Sequence, residues 1–420
     1  MLSSGTIGDL FVVPDMIMIL EKLRLGDYGM RKGIRMDTAL ITAISKLVEH
    51  ACASEQNKIG YEIWKYHIKP MVPLAQELAG VQKADEEIVT LAVLLHDLAG
   101  IEDFSQRKLH HSFGAQRARE ILAGYQYPID KIELVAQCIF NHRADLNLPK
   151  QSPEEYCVAD ADMLINIVDI PSLFYDSYHQ EHLGFAEGKT WRQSTLELYW
   201  GHVSMISQAQ FLDRFNLVKR LSLGNDREPY SFTSDLERTL ADLVKKACLS
   251  EKNAYGYGIW ENHIAPMVTI ANELAQLHSA DAEVVRIATL LHDLSSIEDY
   301  SKAKEHHIHG AQRARGLLRE AGYPVKKTEL VAQCILHHRA SVLMQKLTAE
   351  EQCLADADAV AHMGDLPSLF FVAYDKQGMT FEEGQRWVKQ KLERDWQKMS
   401  EIAKHRYAEQ YAGIMSCFSI

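Results

Sequence analysis

Leu94-Leu95-His96-Asp97-Leu98 decides how this chain is read, because the same five residues return as Leu290-Leu291-His292-Asp293-Leu294. An imidazole beside a carboxylate at the end of an apolar helix is a poor packing choice, since burying either group unpaired costs several kcal/mol. A bound metal ion removes that cost.

Self-similarity extends well beyond these five residues. Residues 40–215 lie on 236–411 at one constant offset, without a gap. Gly114-Ala115-Gln116-Arg117-Ala118-Arg119 recurs at 310–315, and 133–139 (ELVAQCI) recurs at 329–335. Ala159-Asp160-Ala161-Asp162 recurs at 355–358, and Pro171-Ser172-Leu173-Phe174 at 367–370. One domain has been duplicated. The join is placed in 216–231, which opens as a helix and turns polar around Gly224, Asn225 and Pro229. The chain therefore divides into an N-terminal helical extension (1–37), a first copy (38–215), a linker (216–232) and a second copy (233–420).

Within each copy apolar residues recur at three and four, as in Ile88, Leu91, Ala92 and Leu95, and strand-like alternation is hard to find. Both copies are predicted to be all-α, as two tandem helical bundles. Asp85 is placed to cap the helix that ends in His96-Asp97, and Asp281 its counterpart. Around Leu94 that helix is apolar on nearly every side, which puts it at the centre of its bundle.

The 420 residues, 47% of them hydrophobic, suffice for two separate cores. A net charge of −12 and no basic stripe argue against a long nucleic acid as ligand. Small anions in local basic pockets stay compatible with it. The seven cysteines form no Cys-x-x-Cys and read as small buried hydrophobes in a reducing, cytoplasmic compartment. The apolar run 10–20 is short, lacks a basic leader and contains Pro14 and Asp15, so neither a secretory leader nor a membrane span is expected. It reads as an amphipathic helix that packs on the first copy or on a partner.

Candidate ligands recur in step. The first copy offers His67, His96, Asp97, His110, His142 and Asp162, and the second His263, His292, Asp293, His306, His338 and Asp358. A lone histidine on an apolar face is usually a hydrogen-bonded core residue. Six such groups at identical spacing, while neighbours drift (Lys65 against Glu261, Arg107 against Ala303), point instead to a metal site. Imidazole and carboxylate without thiolate suit Mn²⁺, Fe²⁺, Co²⁺, Ni²⁺ or Zn²⁺ and leave positions open for water and substrate.

The order His, then His-Asp, then a distant Asp resembles the HD superfamily of metal-dependent phosphohydrolases, present twice. The resemblance implies that His67, His96, Asp97 and Asp162 bind the catalytic metal in one copy and His263, His292, Asp293 and Asp358 in the other. Ala159-Asp160-Ala161-Asp162-Met163-Leu164 is similar to the closing motif of bacterial members, which picks Asp162 over Asp160; the second copy departs from it with Val360. His110 and His142, with His306 and His338, match the positions that add a second ion in dinuclear members, so one or two ions per copy are expected. His111 and His307 compete for the role. On a helix His110, Gly114 and Arg117 lie within about 60° of one another, whereas Arg119 points away. Arg117 and Arg143, with Arg313 and Arg339, are thus candidates for a substrate phosphate, against a plain surface salt bridge.

A divalent ion lowers the pKa of its water from about 16 to near 7 and draws charge from a phosphoryl oxygen. Asp97 and Asp293 are placed to bridge two ions, and Glu102, Asp103, Glu298 and Asp299 to orient water or merely cap helices. Trp64 and Trp260 stand near the first histidines, to stack on a nucleobase or to fill the core. The implied activity is hydrolysis of small phosphorylated compounds, nucleotides foremost, with self-association left open. Two alternatives stand beside it: a di-iron oxygenase of the same fold, and a non-catalytic nucleotide sensor.

Overall fold

The computed structural model of the protein describes residues 37–144, 146, 148–224, 228–339 and 345–418. The helix expected at 10–20 lies outside them, as does part of the join. Asp85 begins the first bundle's central helix, its side chain accepting from the Glu87 N–H at 3.0 Å and the Ile88 N–H at 3.3 Å. From Glu87 to Leu95 every side chain of that helix is buried. Each such aliphatic residue contributes roughly 1.5–3 kcal/mol relative to exposure, so the apolar segment has nowhere to go but the middle.

Around it the first copy is built from α1 (Thr38–Cys52), α2 (Lys69–Gln82), the central α3 (Glu86–Leu95), the short α4 (Leu98–Glu102) and α5 (His110–Gly124). Then follow α6 (Ile129–Asn141), α7 (Pro153–Val168), α8 (Ile170–Tyr175), α9 (Phe185–His202) and α10 (Met205–Leu223). Two π-helical turns, Trp64–Ile68 and Asp176–Gln180, and one 3-10 turn, Phe104–Leu109, interrupt the series. The second copy repeats it as α11 (Asp235–Cys248), α12 (Ala265–His278), α13 (Ala282–Leu291), α14 (Leu294–Glu298) and α15 (His306–Glu320). It closes with α16 (Val325–His337), α17 (Ala349–Gly364), α18 (Leu366–Phe371), α19 (Phe381–Lys398) and α20 (Glu401–Ser416). Among the described residues there is no strand, and the fold is all-α. All seven cysteines are buried and unbridged.

The helix α10 runs past Phe215, where the first copy was expected to end, because Val218 and Leu221 still face the core. It stops at Gly224, whose φ of +89° and close approach to the Asn262 side chain, 2.7 Å from where a Cβ would stand, admit only glycine easily.

The copies meet through α8 and α18. Phe174 stacks on its own counterpart, Phe370, with ring centroids 4.7 Å apart. Flanking pairs come in matched sets: Tyr178 on Phe371 and Tyr175 on Tyr374, both at 5.1 Å, then Phe185 on Phe371 at 5.6 Å and Tyr175 on Phe381 at 5.5 Å. This is an isologous surface of the kind a homodimer uses, joined here within one chain. Trp200 and Trp396, large apolar side chains of the same tail segments, stack inside their own copy, on Phe215 and Tyr411.

Phe370→Ala should lower stability by about 3–5 kcal/mol, since its side chain is fully buried and the cavity would open between the copies. Denaturant unfolding checks it; an unchanged midpoint would mean the aromatic seam carries little.

Asp169 and Asp365 open α8 and α18, both buried. Burial raises their carboxyls, to about 6 and about 7, although Ser172 and Ser368 pull the other way. A carboxyl raised on folding stabilises while protonated in both states, and that contribution disappears as pH climbs from about 4 to about 7. Asp365→Asn keeps the cap and removes the titration, so its melting temperature should pull ahead of the parent's across that window. A gap that does not change with pH would refute the assignment.

Candidate metal centres

Each histidine of the first copy arrives by a local device. His67 sits in the π-helical turn Trp64–Ile68, just ahead of α2 and its Pro70. His96 ends α3 and donates from Nδ1 to the Val93 carbonyl at 2.7 Å. Asp103 caps the 3-10 turn through the Ser105 N–H at 2.9 Å, and that turn delivers His110 to the start of α5. His110 donates from Nδ1 to the Arg107 carbonyl at 2.8 Å, and His142, at the end of α6, to the Ile139 carbonyl at 2.6 Å. Gly114 lets α5 lie against the site, since a Cβ there would stand 3.0 Å from the His96 carbonyl oxygen and 3.2 Å from Ile139. The repeated Gly-Ala motif is a close-packing requirement.

These elements bring the six groups together. The His67 and His96 Nε2 atoms are 3.2 Å apart, and those of His110 and His142 3.0 Å. Asp97 lies between the pairs: Oδ2 is 3.4 Å from His96 Nε2 and 3.8 Å from His67 Nε2, while Oδ1 is 3.4 Å from His110 Nε2. Asp162 closes the far side, 3.3 Å from His67 Nε2. His67, His96 and Asp162 form one group able to hold an ion, and His96, Asp97 and His142 another. Asp160 is excluded from both by its own work: it accepts from the Ser204 N–H at 2.8 Å and the Ser207 hydroxyl at 2.6 Å, fastening α10.

The donor set fits a divalent cation. A carbonyl only accepts, so His96, His110 and His142 each carry the proton on Nδ1 and present an Nε2 lone pair to the site. Lone pairs 3.0 Å apart repel unless a positive charge lies between them. The field points the same way. Burial works against charge on His67, but Asp162 and Asp97 outweigh it and draw its pKa up. Burial likewise opposes ionisation of Asp162, yet His67 and its neighbours hold the carboxyl well below the usual range. His142, buried like His96, is pulled down to about 4 by burial and the adjacent His96.

The second copy repeats the arrangement. Its Nε2 pairs are His263 with His292 at 3.3 Å and His306 with His338 at 3.1 Å. Asp293 reaches His292 at 3.2 Å through Oδ2 and His306 at 3.4 Å through Oδ1, and Asp358 lies 3.5 Å from His263. Gly310 makes the same close approach as Gly114, to the His292 carbonyl oxygen.

The family model of the HD domain matches residues 65–167 and again 260–363. The chain carries two HD domains in tandem. HD domains bind divalent metals and form a superfamily of metal-dependent phosphohydrolases acting on small phosphorylated substrates. Comparison with curated proteins and with solved structures gives no match.

The remaining candidates are placed elsewhere by the two HD domains. His110, not His111, faces the cluster; His111 is buried against Phe140 at 5.4 Å. Arg117 is held by Glu102 at 2.8 and 3.0 Å, and the surface cavity it lines with Asp103, Gln106 and Phe113 includes none of the six clustered groups. Arg313 is held by Glu298 in the same way, at 3.1 and 2.9 Å. The salt-bridge reading thus describes both arginines. Asp299, like Asp103, caps a 3-10 turn. Arg143 donates to the Lys108 carbonyl at 2.5 Å and Arg339 to that of Lys304, each tying the end of one histidine-bearing helix to the turn before the other. Trp64 and Trp260 are buried in the core, which removes them as base-stacking surfaces.

The second HD domain also has groups that the first lacks. His362 stacks on His263 at 4.7 Å, and Lys398 reaches Asp358. With burial, His362 and His292 lower the His263 pKa to about 3, the reverse of His67. No motif flags these residues; a position-by-position contrast of the copies does.

Full-length protein loaded with Mn²⁺ and measured by elemental analysis should hold at least one ion per HD domain. His96→Ala with His292→Ala should abolish binding, while either alone spares the intact domain. If each centre is dinuclear, His142→Ala should halve the first domain's content, leaving the His67, His96 and Asp162 group. Content unchanged by His142→Ala would leave a mononuclear centre.

Proposed function

We propose that the chain is a metal-dependent phosphohydrolase of small phosphorylated compounds, with nucleotides as the substrate class and a competent centre in each HD domain. The observation that carries this reading is Asp97, whose two oxygens address different histidine pairs, with Asp293 disposed alike toward His292 and His306. A carboxylate so placed suits two ions side by side. Bound there, divalent metal supplies an activated water and draws charge from a phosphoryl oxygen.

The residues of the chain do the rest. His67, His96 and Asp162 would hold one ion and His110 and His142 a second, with Asp97 in reach of both groups. Backbone carbonyls at Val93, Arg107 and Ile139 fix the ring orientations. The apolar wall of α3 excludes bulk water from the inner side and so strengthens every charge interaction at the site. The negative field that draws the His67 pKa up disfavours free anions, so a phosphate is admitted together with metal.

At saturating Mn²⁺, Asp97→Asn and Asp293→Asn should each leave partial phosphate release from a nucleotide panel. Together they should abolish it, a larger loss than the roughly 10–100-fold that removal of an outer-shell partner produces. The rate should be the same in oxygen-free buffer. Turnover that needs oxygen would assign the di-iron oxygenase chemistry instead, and nucleotide binding without turnover in metal-loaded protein would assign a sensor.

A further inference from the structure

The two centres share six ligand types but not their surroundings. The difference is concentrated on one face of one helix. In α19, Lys391, Asp395 and Lys398 follow at the four- and three-residue spacing that aligns side chains. The corresponding residues of α9 are Thr195, Tyr199 and His202, and His362 of α17 corresponds to Asn166 of α7.

Lys398 and His362 meet the closing carboxylate, Asp358, and Asp395 and Lys391 stand behind them. Lys398 Nζ stands 2.5 Å from Asp358 Oδ2 and 3.4 Å from Asp395 Oδ1, with its side chain only 7% exposed. Asp395 is held in turn by His362 Nδ1 at 3.0 Å and Lys391 Nζ at 3.1 Å. His362 Nε2 lies 3.6 Å from Asp358 Oδ1, the oxygen that faces His263. Asp358, His362 and Asp395 have the proximity of a ligand triad. Its cation is already present, and it is an ammonium of the chain itself.

In the first domain, no lysine or arginine pairs with Asp162 among the described residues. An ion there meets the two carboxylates of Asp97 and Asp162 at full charge. In the second domain it meets Asp293 and Asp358 with Asp395 behind them, offset by Lys391 and Lys398. Three carboxylates and two ammonium groups leave one negative charge, where the first domain keeps the two of Asp97 and Asp162, with Asp176 adding to the negative field at His67. At buried separations of a few ångström, that missing charge acts directly on a dication.

We propose that Lys398 is an internal counter-ion that competes with metal for Asp358, so the second HD domain fills only at higher metal concentration than the first. This rests on the reading of both clusters as metal centres. Lys398 is thereby a positioning residue: it acts on the ligand carboxylate rather than on substrate, and Asp395 is the partner to which it can retreat when metal takes Asp358. The number of loaded centres per chain then follows metal supply, with the first domain constitutive and the second responsive.

The test is chelator-competition titration of the full chain with Mn²⁺, using His292→Ala to isolate the first centre and His96→Ala to isolate the second. Half-saturation of the His96→Ala chain should need roughly 10–100-fold more free Mn²⁺, the range over which outer-shell partners shift affinity. Adding Lys398→Met to the His96→Ala chain should bring half-saturation down toward that of the first centre. Lys398→His, which installs the residue found in the first domain, should move it in the same direction and serves if the Met variant does not fold, as judged by circular dichroism. Equal half-saturation of the two isolated centres would overturn the proposal, as would either Lys398 variant leaving affinity unchanged or weakening it. Failure of both single-centre chains to bind Mn²⁺ would overturn the metal reading itself, a separate and distinguishable result.

Discussion

The whole structure depends on making four imidazole nitrogens and two carboxylates face one another inside an apolar bundle. Left alone, such a cluster is expensive, because lone pairs and charges lose their water and gain no hydrogen. The fold answers with rigidity. His96, His110 and His142 are each locked by a carbonyl three residues earlier in the chain, so none of these three can turn its donor inward to relieve the repulsion, while His67 faces a carboxylate, Asp162, as partner. What remains is a site whose favourable partner is a cation, and the helices are arranged to hold that condition. The central helix α3 is buried on every side because it carries the His-Asp pair to the bundle's middle, and Gly114 is glycine because α5 must come within contact of the His96 carbonyl to bring His110 opposite.

Much of this was legible in the sequence, for a physical reason: duplication lets one half act as a control for the other. Residue types that stay fixed at one offset while Lys65 becomes Glu261 and Arg107 becomes Ala303 are under a constraint that packing alone does not impose. That contrast drew out all twelve clustered groups, and the caps at Asp85 and Asp281 follow from local hydrogen bonding. The arginines were harder. A helical wheel places Arg117 on the side of His110, but a wheel does not see Glu102, which reaches across from the preceding segment and takes the guanidinium. The join was read as opening in a helix, and α10 does continue beyond Phe215, where the buried Val218 and Leu221 still pack.

The seam between the domains shows why pairing across copies is invisible to periodicity. Phe174 and Trp200 look alike in the sequence, as large apolar residues beyond the last ligand. One stacks across the pseudo-two-fold on Phe370 and the other stacks at home on Phe215. The choice is set by which helix ends face the other copy, and α8, a helix of six residues, presents Phe174 there. The matched pairs on either side of the Phe174–Phe370 stack give the contact the isologous geometry of a homodimer interface within one chain.

Duplication also frees the copies to diverge where symmetry is not needed. At the seam the ring is kept, because each aromatic meets the counterpart of its neighbour, and the one change among the paired rings, Tyr175 against Phe371, is a hydroxyl. The outer wall of each metal centre has no such tie, and there the copies part: Tyr199 against Asp395, His202 against Lys398, Asn166 against His362. Substitutions on one helical face leave all six ligands in place and alter the charge they work in. A ligand set read alone would therefore call the two centres equivalent. Their difference lies one layer out, where a buried ammonium pairs with Asp358, the carboxylate that closes the second histidine cluster.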